Sequence, residues 1–158
     1  MTNPRDRLRD LGITLPPAPA PAASYLQTRL VSIGEGRSLL YVAGQISREG
    51  DQVLVGRCPD QVSVDEANRR ARLCGVSVLA QIEQAVGLDN VVELTQVTGF
   101  VQSADGFGDQ PKVVNGASDL FAEIFGDGGK HTRAAVGTNA LPLGATVEIA
   151  AVAVVRTG

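Results

Sequence analysis

Apolar side chains recur every three or four residues through Val64, Ala67, Ala71, Cys74, Val78, Ile82 and Ala85, the period of one helical face. Ser63 and Glu66 have the spacing of a capping box and Gly87 supplies the stop, so a long amphipathic helix is expected between them. Cys74 then points into the core. A second helix is expected in "PKVVNGASDLFAEIFG", residues 111–126, ended by Gly126. Elsewhere the apolar positions alternate, which predicts strands. "RLVSIGEGRSLLYVAGQIS", residues 29–47, breaks at Glu35-Gly36 as a hairpin does, and "DQVLVG", residues 51–56, adds a third short strand. "NVVELTQVTGFVQS", residues 90–103, is a fourth, and residues 131–155 read as two more strands joined by a turn.

Strand block, helix, strand, helix, strand pair is an α+β order, with two major helices to back one face of a mixed sheet. The run "VEIAAVAVV", residues 147–155, is apolar on both of its alternating faces, so both need cover. The helices supply one cover, and a second copy of the chain is expected to supply the other, which makes the protein a homo-oligomer.

The N-terminal segment behaves differently. "NPRDRLRDLG", residues 3–12, offers Asn3 as N-cap, Pro4 at the first helical position, Leu8 and Leu11 on one side and Gly12 as a stop. "LPPAPAPAAS", residues 15–24, is too proline-rich for helix or inner strand and should run extended, delivering Ser24-Tyr25 to a defined place. Residues 1–21 are therefore expected to form an arm and residues 22–158 a single domain.

Composition narrows the function. The 158 residues are 44% apolar and 20% charged, with a net charge of -3 and no basic stripe, so nucleic acid is not an expected partner. No apolar run reaches the roughly 18 residues of a membrane helix, and the N-terminus lacks a signal-peptide core. A soluble cytoplasmic protein is expected. Cys58 and Cys74 are isolated and His131 is the single histidine, so neither a metal site nor a disulfide framework is expected.

Two charges interrupt this apolar text. Arg133 opens one strand of the final pair and Glu148 lies in the other, and a buried charge costs several kcal/mol unless it is paired. Guanidinium grips a carboxylate with two parallel hydrogen bonds, and a nearby carboxylate orients water or passes a proton. A terminal hairpin would bring the two together, either as a pocket for a small acid or as a structural ion pair at a subunit interface. The residues alone leave both readings open.

The segments Arg133-Ala134-Ala135-Val136, Leu141-Pro142 and Val147-Glu148-Ile149, with "SYLQ" around Tyr25, "YVAGQI" containing Gly44 and Gln45, and "VVNGASDLF" containing Asn115, resemble the RidA/YjgF family of enamine and imine deaminases. That family is also labelled endoribonuclease L-PSP, and the resemblance runs from about Ala22 to Val155. It implies a chorismate-mutase-like fold, with three subunits packing their sheets into a central barrel and clefts between neighbours. It also implies hydrolysis of 2-imino or enamino acids to 2-keto acids and ammonia, with no cofactor or metal. By the same resemblance Arg133 binds the substrate carboxylate, Glu148 orients water, and Tyr25, Gly44, Asn115 and the backbone at Ala135 line the cleft.

The chain departs from the family pattern at three places. Ala135 stands where many of these deaminases have Cys, Ala150 where they have a second Glu, and "FGDGGKHTR", residues 125–133, is longer than the usual approach to the Arg. A distinct branch is implied. Tyr25 either closes the cleft or pins the proline-rich arm, and Asn115 either donates to substrate or marks an irregularity near a helix start. His131 is expected as a solvated loop side chain. The competing functions are a trimeric protein that only binds small carboxylates, and an endoribonuclease, for which a single histidine and few aromatics are the wrong equipment.

Overall fold

Capping sets where the long helix begins. Ser63 Oγ accepts from the Glu66 backbone N–H at 3.1 Å in the computed structural model, which describes residues 3–158. Helix α2 then runs Val64–Ala85, with Ala67, Ala71, Cys74, Val78 and Ile82 wholly buried, as their spacing predicts. Glu66 does not close the capping box; it pairs with Arg69 and Arg70, and these two guanidinium groups hold its carboxyl down at about 2. Helix α3 is Gln110–Phe125, and Gly126 ends it at φ 60. At the N-terminus α1 spans Pro4–Asp10, capped by Asn3, whose Oδ1 accepts from Arg5 N at 2.7 Å. Leu8 is buried, whereas Leu11 falls just past the helix and is exposed.

Five strands form the main sheet: β1 (Thr28–Gly34), β2 (Arg37–Ile46), β5 (Val91–Gln102), β6 (Thr132–Thr138) and β7 (Val147–Arg156), in the order β1-β2-β7-β5-β6. β1 and β2 are the expected hairpin, and Glu35 and Gly36 both take the positive φ that a tight two-residue turn demands. "DQVLVG" contributes only β4 (Gln52–Val53), which pairs with β3 (Arg48–Glu49) as a separate two-residue ribbon outside the sheet.

The terminal strand pair is not a hairpin. β5 lies between the two strands: it pairs in parallel with β6 and antiparallel with β7. A parallel pair needs a crossover of a dozen or more residues, and α3 is that crossover.

Helices α2 and α3 cover one face of the sheet. Leu40, Val42, Val97, Val101, Val147, Ile149, Ala151, Ala153 and Val155 point into this layer and are buried. The opposite face is apolar and open. Cross-strand partners share a face, and the pairs Leu39–Val154 and Tyr41–Val152, with Phe100 between Glu148 and Val136, line it; Tyr41 and Val136 are 45% and 44% exposed. The proline-rich segment runs along α2, where Gln81 donates to Pro19 O at 2.7 Å and to Gln45 Oε1 at 3.3 Å. Gln45 in turn donates to Gln27 Oε1 at 2.8 Å, so a chain of amides, buried at Gln81 and Gln45 and half-buried at Gln27, registers the segment against β2. Among the described residues no helix is long and apolar enough to cross a membrane.

The crossing of α2 and α3 depends on Gly116, where an added Cβ would sit 2.0 Å from the Asn68 carbonyl oxygen. Alanine is the better helix former by up to ~1 kcal/mol, yet Gly116→Ala is expected to destabilise the fold by about 1–3 kcal/mol, the cost of overpacking. Urea denaturation of the two proteins checks the sign.

Candidate functional site

The register of β5 decides which site residues meet. Val97 pairs with Arg133 on one side and with Ala151 on the other, so Arg133 points into the helical layer. Phe100 pairs with Glu148, and Glu148 points to the open face. The two charges therefore lie on opposite faces of the sheet with β5 between them, roughly 14 Å apart by strand spacing and rise. The single pocket expected from a terminal hairpin does not form within one chain; each charge has its own surroundings.

Around Arg133 the partners come from α3. Nη1 donates to Asn115 Oδ1 at 2.8 Å and to Ser118 Oγ at 3.2 Å, and Nη2 donates to Pro111 O at 3.3 Å. A guanidinium has five N–H donors. Three are engaged, which leaves Nε–H and one Nη2–H without a partner among the described residues. Asn115 is no irregularity at a helix start: it sits inside α3, three residues before Ser118, so both side chains occupy one helical face. Ala135 is on the same side of β6, opposite Gly99, and packs partly buried against the core.

Glu148 has different neighbours. Its side chain lies across Gly44, where an added Cβ would come within 2.7 Å of the Glu148 Cδ; glycine at this position makes room for the carboxylate. Burial raises the Glu148 pKa above its ordinary 4.5, and no cation or hydrogen-bond donor among the described residues offsets it. Tyr25 is 44% exposed in the bend before β1. It precedes by two residues Gln27, whose carbonyl accepts from Ala43 N at 2.8 Å, which places Tyr25 beside the Gly44 end of β2.

The candidate residues thus divide into two half-sites. One holds Arg133, Asn115 and Ala135 under α3 at the sheet's edge strand; the other holds Glu148 and Gly44 on the open face, near Tyr25.

His131 is not a solvated loop residue. It is half-buried, its Nε2 lies 2.9 Å from Ser118 Oγ, its Nδ1 lies 2.7 Å from Gly129 O, and its ring meets Phe121 edge-on. Burial lowers its pKa; the Gly129 hydrogen bond opposes this, and the Arg133 charge adds a still smaller lowering. Ser118 was legible only through its i,i+3 relation to Asn115. Cys74 is buried in the core, where desolvation drives its thiol pKa far up.

The YjgF/chorismate mutase-like family model, which carries an endoribonuclease label, matches residues 5–154. The chain belongs to the RidA/YjgF family. Protein TCP17 of Trypanosoma cruzi is 39% identical to this RidA/YjgF chain over 145 residues, covering 90% of it and 88% of the relative. The crystal structure of Atu1372 from Agrobacterium tumefaciens, a protein of unknown function, is 38% identical, covers 97% of this chain and 92% of its own, and superposes with a TM-score of 0.85. E. coli TdcF with bound serine is 27% identical, with 88% and 93% coverage and a TM-score of 0.57. The family's mixed α+β fold is the one described above, with α1 as a third helix.

The raised Glu148 pKa carries a stability signature. In the unfolded chain this carboxyl ionises near 4.5, while in the fold it keeps its proton to higher pH, so stability falls as pH rises from 4.5 through the folded value and then levels off. Glu148→Gln lacks that loss. Denaturation midpoints are expected to favour the variant at pH 7.5 relative to pH 4, and a parent-to-variant difference independent of pH would contradict the assignment.

Proposed function

We propose that this RidA/YjgF protein hydrolyses 2-imino and enamino acids in clefts between the subunits of a homotrimer. The observation that carries the reading is Arg133: three donors tied to α3 fix the plane of the guanidinium, and Nε–H and one Nη2–H remain for a carboxylate. Two donors on one rigid plane suit bidentate recognition of a small acid. Serine bound to TdcF shows a small amino acid held by a relative, which agrees in size and charge.

Three considerations support the assembly. The open face presents Leu39, Tyr41, Phe100, Val136, Val152 and Val154 together, an apolar surface of the sort that packs on another copy. β6 is an edge strand and carries Arg133. Glu148, on the other face, meets an Arg133 only if the Arg133 belongs to a neighbouring subunit.

In such a cleft the substrate carboxylate rests on Arg133 and its C=N carbon faces a water held by Glu148. Glu148 accepts a proton as the water oxygen bonds to carbon, and the C=N electron pair passes to nitrogen. The proton is then delivered to that nitrogen to give a carbinolamine, and Glu148 passes the new hydroxyl's proton to the same nitrogen as the C–N bond breaks, so that the oxygen electrons close the C=O bond and ammonia and the 2-keto acid leave. A carboxyl whose pKa burial raises is better suited to both transfers than an ordinary one. Asn115 holds Arg133, Gly44 leaves space for Glu148, and Ala135 offers backbone and a small side chain beside the reacting carbon. Composition gives an endoribonuclease no comparable support: one histidine and a net charge of -3 provide neither a phosphate groove nor an acid-base pair.

The test is the loss of 2-iminobutyrate, generated in situ from threonine by a dehydratase. The parent is expected to accelerate it; Arg133→Ala is expected to lose both acceleration and 2-ketobutyrate binding. Glu148→Gln is expected to keep the binding and lose on the order of 10²-fold in turnover. Binding without any acceleration by the parent would move the protein to a carboxylate-binding role, and a stable monomer by light scattering would remove the inter-subunit cleft.

A further inference from the structure

Ser118 and His131 have no place in the reaction above, yet they form a connected series that ends on Arg133. The direction of each hydrogen bond in it is determined. Gly129 O is a carbonyl and only accepts, so the Nδ1 atom 2.7 Å away carries the ring proton. A neutral imidazole has one such proton, so Nε2 is a lone pair, and the hydroxyl of Ser118 at 2.9 Å donates to it. That commits the single hydroxyl hydrogen of Ser118. Its oxygen is left as an acceptor only, and Arg133 Nη1–H at 3.2 Å meets it.

The ring is held neutral by its surroundings. Burial and the Arg133 charge lower the His131 pKa, and the nearby Lys130 and Asp127 are paired with each other at 2.7 Å in the exposed turn. Phe121 of α3 meets the ring edge-on. Without His131, the Ser118 hydroxyl would be free to rotate its hydrogen toward Arg133 or toward a helix carbonyl, and Nη1 would lose a defined acceptor.

We infer that His131 and Ser118 are positioning residues: the Nδ1–H tautomer of His131 orients the Ser118 hydroxyl, which fixes the Arg133 guanidinium so that its remaining N–H pair faces a small carboxylate ligand. The ligand part of this inference rests on the reading of Arg133 given above; the orientation of the guanidinium does not.

Because His131 is the only histidine, its ring nitrogens can be observed without ambiguity by nitrogen NMR. The parent at pH 7.5 is expected to show protonated Nδ1 and unprotonated Nε2; the opposite tautomer would overturn the inference. Arg133 Nη signals, assigned by their loss in Arg133→Ala, are expected to show restricted rotation in the parent and faster rotation in Ser118→Ala and His131→Ala. Unchanged rotation in folded His131→Ala would also overturn it. In calorimetry with 2-ketobutyrate, Ser118→Ala and His131→Ala are expected to bind about threefold to tenfold more weakly, the effect of one lost hydrogen bond, and Ser118→Thr to recover most of the affinity. Parent-like affinity in both alanine variants would refute positioning of the ligand site. If the parent binds no better than Arg133→Ala, the carboxylate reading fails, and the tautomer and rotation measurements decide the relay without it.

Discussion

The parallel pairing of β5 with β6 is the constraint on which the rest depends. Parallel neighbours cannot be joined by a tight turn, so the chain must leave the end of β5, cross a face of the sheet and return beside its start. That return path is α3. It places Asn115 and Ser118 over β6 and gives Arg133 three acceptors it would lack on an open strand. It also makes β6 an edge strand and leaves the other side of β5 to β7, which puts the two charged residues on opposite sides of the sheet.

The same arrangement explains how each charge is tolerated. A guanidinium inside a packed layer is costly when its hydrogen bonds are lost, and Arg133 keeps three. Glu148 has no such partners. It is accommodated because Gly44 leaves it space and because the open face is only half dry, and the penalty that remains appears as a raised pKa. Structural ion pairs lower the pKa of their carboxylates, as Glu66 shows between Arg69 and Arg70. Glu148 moves the other way, because its burial is offset by no partner among the described residues.

Local signals carried most of the architecture. The 3.6-residue period and the Ser63 cap located α2, Asn3 and Pro4 located α1, and Glu35-Gly36 located the first hairpin. Each is decided within a few residues by sterics and hydrogen bonding, so it survives in the chain's own text. Strand order is different because it depends on partners distant in sequence. Treating residues 131–155 as a hairpin followed the tendency of consecutive strands to pair, while the strand-helix-strand succession of β5, α3 and β6 carried the competing signal for a parallel pair. Recognising it would have separated Arg133 from Glu148. His131 departs from its expected exposure for a related reason: a Gly-rich flank suggests solvent, but Gly129 packs against the Phe121 carbonyl, so this turn is pressed onto α3 and takes the histidine with it.

The departures from the family pattern bear on mechanism once the faces are known. Ala150 shares the open face with Glu148, two residues along β7, and a carboxylate there would have set a like charge near it. With alanine, burial alone accounts for the raised pKa, and Glu148 remains the one carboxylate that β7 offers. In the proposed reaction a single group would then have to take the proton from water and return it to nitrogen, without the split pair of pKa values that two coupled carboxylates produce. Ala135 acts on the other half-site. A small side chain next to Arg133 would leave orientation of the proposed acid to the guanidinium itself, and so to the α3 contacts that hold it. Under the proposed function, selectivity would accordingly belong to the Arg133 mount and its neighbours on α3 more than to side chains that touch the reacting carbon.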